Sequence, residues 1–213
     1  LDARWAAGVT RAKDTRIESL FSNGEKVAQY RHEQEKTEAF GGWSGGLVNG
    51  WTHRYSTGFS YQKDNYRPEP GLALPAPASL PPDQTLAAPF FRYELAHDDF
   101  EKVKNRDLIE RPEYFAMGTQ ASVQLGRALT ALGSTQDLWL YAVSASDGFR
   151  LSPRQSLLAS AAFAGQAGYA PLDRKVASGS LRYYGNSDSR TLTFVSLAGD
   201  TLSDANPATQ LAL

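Results

Sequence analysis

Leu138-Trp139-Leu140-Tyr141-Ala142-Val143-Ser144-Ala145-Ser146-Asp147-Gly148-Phe149-Arg150-Leu151 is the stretch on which the fold turns. Trp139, Tyr141, Val143, Ala145, Phe149 and Leu151 share one position parity, and Ser144, Ser146, Gly148 and Arg150 have the other. Only an extended strand puts such a set on one face, because side chains alternate across a strand and spiral around a helix. The same period appears in Trp51, Tyr55, Thr57, Phe59 and Tyr61 against Thr52, Arg54, Ser56, Gly58, Ser60 and Gln62. It appears again in Met117, Ala121, Val123 and Leu125 against Gly118, Gln120, Ser122, Gln124 and Gly126. Phe91, Tyr93 and Leu95 against Arg92 and Glu94, and Leu181 and Tyr183 against Ser180 and Arg182, continue it.

Working outward, the pattern predicts strands over 4–20, 26–45, 50–66, 90–100, 114–131, 137–151, 156–168, 176–185 and 190–202. Leu157–Ala167 is rich in the helix formers Ala and Leu. Its own alternation and its strand neighbours favour a strand there too. Asn23-Gly24 and Asn49-Gly50 suit type I′ hairpin turns, since both residue types tolerate positive φ. Ser152-Pro153-Arg154 and Gly185-Asn186-Ser187-Asp188-Ser189 read as further short connections. Seven prolines between Pro68 and Pro89 predict a long extended loop over 68–89. Asp98–Pro112 reads as a charged connection, with Phe100, Val103, Leu108 and Ile109 to anchor it.

Composition narrows the classes. The 213 residues carry 22 Lys and Arg against 23 Asp and Glu, a balance that argues against a nucleic-acid binder. The absence of cysteine excludes disulfides, cysteine nucleophiles and thiolate metal sites. No stretch meets the roughly 20 apolar residues of a membrane helix, Gln155–Leu172 being broken by Ser, Gly, Gln and Pro. A mean hydropathy of -0.43 leaves a membrane β-barrel open, because barrel strands are apolar on one face only. The chain opens on Leu1-Asp2-Ala3-Arg4-Trp5, which predicts a processed N-terminus or a piece of a longer protein.

Two all-β architectures compete. A soluble antiparallel sandwich would use strands of about 5–6 residues and an outward face rich in Lys and Glu. Here the alternating runs are longer, and the polar face is Gly, Ser, Thr, Gln and Arg. An outer-membrane barrel needs an apolar exterior band flanked by aromatic girdles over a polar lumen. Trp51, Tyr55, Tyr61, Tyr93, Trp139, Tyr141 and Tyr183 are candidates for such girdles. The expectation is an all-β, antiparallel up-and-down meander, part of a transmembrane β-barrel. Residues 1–213 would form one incomplete barrel domain of about nine strands, as Thr209–Leu213 gives no sign of a closing strand.

Several segments resemble the barrel region of the Omp85 superfamily of outer-membrane proteins, the BamA-like or surface-antigen group. They are Arg4-Trp5-Ala6-Ala7-Gly8-Val9, Tyr30-Arg31-His32-Glu33, Gly41-Gly42-Trp43-Ser44-Gly45-Gly46-Leu47, Gly50-Trp51-Thr52-His53-Arg54 and Phe100–Ile109. Asn206–Leu213 is similar to the approach to that family's Arg-Gly-Tyr or Arg-Gly-Phe loop. The resemblance implies part of a 16-stranded barrel, roughly strands three to eleven. It implies periplasmic turns at 45–50, 152–154 and 185–189, and an extracellular loop at 68–89. It also implies a non-enzymatic role in assembling or secreting other proteins at the bacterial outer membrane. The partners would be outer-membrane lipid and client outer-membrane or secreted proteins. The alternative is a soluble β-sandwich binding carbohydrate or another ligand, with Trp43, Trp51 and Trp139 as stacking platforms.

Catalytic motifs are missing from the sequence. There is no Gly-x-Ser-x-Gly elbow, no phosphate loop and no dinucleotide-binding turn. His97, Asp98 and Asp99 offer ligand atoms, but neighbouring strand residues point to opposite faces. Glu33, Glu35, Lys36 and Glu38 read as lumen or extramembrane strand surface, and Arg54, Arg92, Arg150 and Arg182 as lumen residues paired with Glu94 or similar carboxylates. The expectation is no catalytic residue, no cofactor and no metal.

Overall fold

The computed structural model describes residues 4–104, 111–169, 173–186 and 191–204. Eleven strands follow in chain order: β1 (Trp5–Ser22), β2 (Glu25–Val48), β3 (Trp51–Arg67), β4 (Gln84–His97), β5 (Phe100–Lys104), β6 (Pro112–Ala116), β7 (Gln120–Ala128), β8 (Leu138–Ser152), β9 (Gln155–Ala167), β10 (Arg174–Asn186) and β11 (Leu192–Asp204). Nine of them make one sheet in the order β1-β2-β3-β4-β7-β8-β9-β10-β11, every neighbour antiparallel; β5 and β6 form a separate hairpin. The sheet is a meander curled into a half-barrel, not two layers face to face. Among the described residues no α-helix occurs, and β1 and β11 do not pair with each other. Leu157–Ala167 lies within strand β9.

Strand length separates this sheet from an ordinary soluble one. β1, β2 and β3 run for 18, 24 and 17 residues, several times the roughly 5–6 usual in globular domains. The two Asn-Gly pairs close the tightest hairpins: Asn23 and Gly24 sit at φ 49 and 80, Asn49 and Gly50 at 51 and 81. Both central residues have positive φ, as a type I′ turn demands.

Pairing is staggered. Lys175 of β10 faces Gly165, and its row runs on through Tyr141, Leu125 and Phe91 to Thr57 of β3. Trp51 directly follows its turn, but Leu181, the β10 residue on the row continued through His97, Thr119, Asp147 and Ala159, lies five residues short of Asn186. The turn ends thus slip by about one residue per strand step, which corresponds to a strand tilt near 35–40° when strands are about 4.8 Å apart and rise about 3.3 Å per residue.

Two sequence expectations change. The Pro-rich loop ends at Asp83, and 84–89 belongs to β4. Leu86, Ala88 and Phe90 are buried on the inner face, where Leu86 and Ala88 cluster with Ala128 and Leu138, and that burial outweighs the proline content. Pro89 is tolerated because it sits just past Phe90↔Gly126, the end of the β4–β7 ladder, where no donor is required of it on that side. The strand expected over 114–131 starts only at Gln120, and the connection 98–112 carries strand β5. Met117 therefore does not share a strand face with Ala121, and it turns inward to 2% exposure. Ser187–Ser189, Asn206–Leu213 and the expected anchors Leu108 and Ile109 lie outside the described residues.

Candidate functional site

Register assigns every strand residue to one of two faces. Trp5, Trp43, Tyr55, Tyr93, Val123, Val143, Phe163 and Ala177 form one unbroken cross-strand row on the outer face. Phe59, Phe91, Leu125, Phe149, Leu181 and Leu197 share that face, and all remain exposed. The seven candidate girdle aromatics all lie on it too. Trp51 and Tyr61 lie ten residue steps apart on β3, about 33 Å along the strand and about 25 Å in height at a 40° tilt, the height of an outer-membrane apolar band. Within β8 the band is crossed by Asp147, whose carboxylate accepts from the Thr119 hydroxyl at 3.1 Å and the Gly148 N–H at 2.9 Å.

The upper edge of the band is oblique to the pairing rows. Ascending β3, the first cation on the outer face is Lys63, six residues beyond Thr57; on β10 it is Lys175, on the row of Thr57 itself. Five strand steps of about 4.8 Å against six residues of about 3.3 Å give about 40°. Arg127, over Trp139 at 4.7 Å, lies between them. The first outer-face cations of β3 and β10 thus lie on a line inclined by about 40°, close to the stagger of the strands, while on β1 the first is Arg11, on the row of Tyr61.

The inner face is polar between two small apolar clusters. Leu86, Ala88, Ala128 and Leu138 close its upper end, and Met117, Leu158 and Tyr184 its lower end. Between them lies a trough of about 720 Å³ lined by Ser122, Ser144, Ser146, Ser160, Ser178 and Ser180 with Thr52, Gln120, Arg54, Glu94 and Asp200. Ser160 and Ser180 hydroxyls meet at 2.8 Å, and Arg54 faces Glu94 at 3.7 Å. Ala96, Ala162 and Ala198 complete the wall, which alternates weak hydrogen-bonding groups with small apolar ones and carries little net charge.

Above the trough, charged groups are tied in pairs. Arg92 donates to Glu38 at 2.8 Å and to Gln124 at 2.7 Å, bridging β4 to β2 and β7. Higher still, buried His32 donates through Nε2 to buried Asp64 at 2.9 Å, and its Nδ1 lies 3.2 Å from Glu18. Gln34 and Gln62 also donate to Asp64, each at 2.6 Å, and the His32 ring stacks on Tyr66 at 4.6 Å. Sequence reading missed this network. Its members come together only once β2 and β3 pair with Gln34 opposite Asp64.

The residues singled out from sequence disperse. His97 stacks on Trp51 at 4.6 Å, the Asp98 N–H donates to Gly50 O, and Asp99 takes a bidentate contact from Arg150, both bonds at 2.7 Å. Among the described residues no group of three or more His, Asp or Glu is arranged to hold a metal ion. Glu33 and Glu35 face outward above the apolar band, whereas Lys36 and Glu38 face inward. Arg54, Arg92, Arg150 and Arg182 all fall on the inner face. Trp43, Trp51 and Trp139 are separated across the outer face and form no common platform.

The Asp99–Arg150 pair is titratable in one direction. The Arg150 guanidinium, hydrogen-bonded to it, holds the Asp99 carboxyl below the usual carboxylate range. A lowered folded-state value means the contact contributes fully above the ordinary carboxylate pKa and is lost as pH falls through the lowered one. The protection of the Met117 and Gly118 amides, whose N–H groups donate to Asp99 O, relative to their intrinsic exchange should therefore hold through neutral pH and fall only in acid below the usual carboxylate range. Arg150→Gln should move that onset to higher pH. An onset at neutral pH in the unaltered protein would contradict the assignment.

No protein-family model, curated protein or solved structure matches the chain.

Proposed function

We propose that this chain is part of the wall of a transmembrane β-barrel in a bacterial outer membrane, and that the barrel assembles or translocates other proteins without catalysing a reaction. The observation that carries the membrane reading is the outer apolar band, whose height and obliquity both fit strands tilted about 40° through a bilayer. The serine-lined inner face is the matching lumen wall. Unpaired strand edges are not tolerated in lipid, so β1 and β11 would each meet further strands outside the described residues. The assembly or secretion role rests on the Omp85-like segments together with the room that the wide trough leaves on the inner face. Against the sandwich alternative, the second sheet among the described residues is the two-stranded β5–β6 hairpin, and the aromatics of the outer face stay exposed.

The test of the membrane reading uses full-length protein in which Trp5, Trp43 and Trp51 are replaced by Phe. With any tryptophan elsewhere in the full-length protein also replaced by Phe, brominated lipid should quench Trp139; fluorescence indifferent to bromination would end the barrel reading. For the role, depletion of the full-length protein should lower the outer-membrane content of client barrels or the export of a secreted protein. Unchanged levels of both would reject assembly and translocation while leaving the barrel intact.

A further inference from the structure

We infer that the outer face carries, at the long-loop end of its apolar band, a belt of cations that binds the phosphate groups of anionic lipid. The inference rests on the barrel reading. The belt consists of Lys13 on β1, Lys63 on β3, Arg127 on β7 and Lys175 on β10, all on the face of the aromatics. Lys13 and Lys63 lie in one row, with Glu35 between them. Lys175 lies in the row of Thr57, and Arg127 lies two residues above Leu125 of that same row. At a tilt of about 40°, each residue along a strand adds about 2.5 Å of height, and each step along a row towards β11 adds about 3 Å. On that scale the four cations fall within about 7 Å of height, starting level with Tyr61 at the top of the band. They nevertheless reach from β1 to β10, across most of the sheet. Their residue numbers and rows differ, and only the tilt brings them to one level.

Ion pairing sets the belt apart from the cations around it. Arg11 donates to Glu35 at 2.6 Å, and higher on the same face Arg31 pairs with Glu69 and Glu33, and Arg67 with Asp83. Among the described residues, no carboxylate forms an ion pair with Lys13, Lys63, Arg127 or Lys175. The three lysines are exposed, and Arg127 lies half-buried over the Trp139 ring at 4.7 Å, which holds its guanidinium at the girdle. Towards the short turns, the outer face of the nine strands holds no Lys or Arg among the described residues; its charged side chain there is Asp147. Unpaired cations at headgroup height call for anions from outside the chain. Phosphate oxygens accept from ammonium and guanidinium donors, and a headgroup of net negative charge balances them where a zwitterionic one does not. Two equal leaflets would ask for the same charge at both rims. The contrast between the rims places the anionic headgroups on the long-loop side.

Two single-tryptophan forms of the full-length protein, with every other tryptophan replaced by Phe, read the two rims. One keeps Trp139 beside Arg127, and the other keeps Trp51 at the short-turn end. Each is inserted into phosphatidylcholine vesicles containing a minor share of either brominated phosphatidylglycerol or brominated phosphatidylcholine. At Trp139 the anionic lipid is expected to quench at a share about fivefold lower, roughly what one lysine or arginine contributes beside an anionic surface. At Trp51 the two lipids should quench alike. Arg127→Gln with Lys175→Gln should abolish the difference at Trp139, whereas Arg127→Lys with Lys175→Arg should keep it, which separates charge from packing on the indole. Equal quenching at Trp139 by both lipids, the same preference at Trp51, or a preference that survives the two glutamines overturns the belt and leaves the barrel. No quenching of either tryptophan by either lipid removes the barrel and the belt with it.

Discussion

Val143→Arg should destabilise the membrane-inserted protein by about 2–4 kcal/mol, while Ser144→Arg, one residue further on, should cost less than about 1 kcal/mol. The two positions share a strand and a height and differ only in face. Val143 sits between Val123 and Phe163 in the outer aromatic row, near the middle of the band on β8. A guanidinium there would be driven into hydrocarbon with no carboxylate facing it in its row. Ser144 lines the trough, with Ser122 and Ala162 as row neighbours and water beyond. Unfolding free energies from urea titration of the full-length protein in lipid vesicles would measure both. Equal penalties, or a harmless Val143→Arg, would mean that the outer face does not meet lipid.

Asp64→Ala should cost about 3–5 kcal/mol, because it strips the acceptor from three buried or half-buried donors at once. His32 Nε2, Gln34 Nε2 and Gln62 Nε2 all converge on this 4%-exposed carboxylate. Alanine would leave an imidazole N–H and two amides facing a void. Asp64→Asn keeps the shape and one acceptor oxygen, so it should cost less than half as much. The same vesicle titration reads both, and a penalty below about 1 kcal/mol for Asp64→Ala would show that the network binds nothing together. The effect should localise to the upper parts of β2 and β3, leaving the serine trough and the Asp99–Arg150 pair unchanged, since no contact described links them.

The alternation of Trp139, Tyr141 and Val143 was enough to establish a strand and its apolar side, because side-chain direction along a strand depends only on position parity. The nine strands of the sheet and the two Asn-Gly hairpins were legible for the same local reason. Proline content misled at Gln84–Pro89, where burial of Leu86 and Ala88 against other strands decided the outcome. The hairpin within 98–119 was hidden because its stems are short and charged, and its stability comes from Tyr184 and Arg150, far away in sequence.

By itself the sequence determined that this protein is an all-β meander of long two-faced strands, with aromatics on one side and small polar residues on the other. Tertiary structure alone decided which strand residues became neighbours: Asp64 with His32, Arg92 with Glu38, Asp99 with Arg150, and the hairpin with the trough. Parity is a property of the single chain, whereas register and stagger are properties of pairs of strands. A slip of one residue would flip every side chain to the other face, and a slip of two would keep the faces but part these partners, so the sites exist only in the observed register.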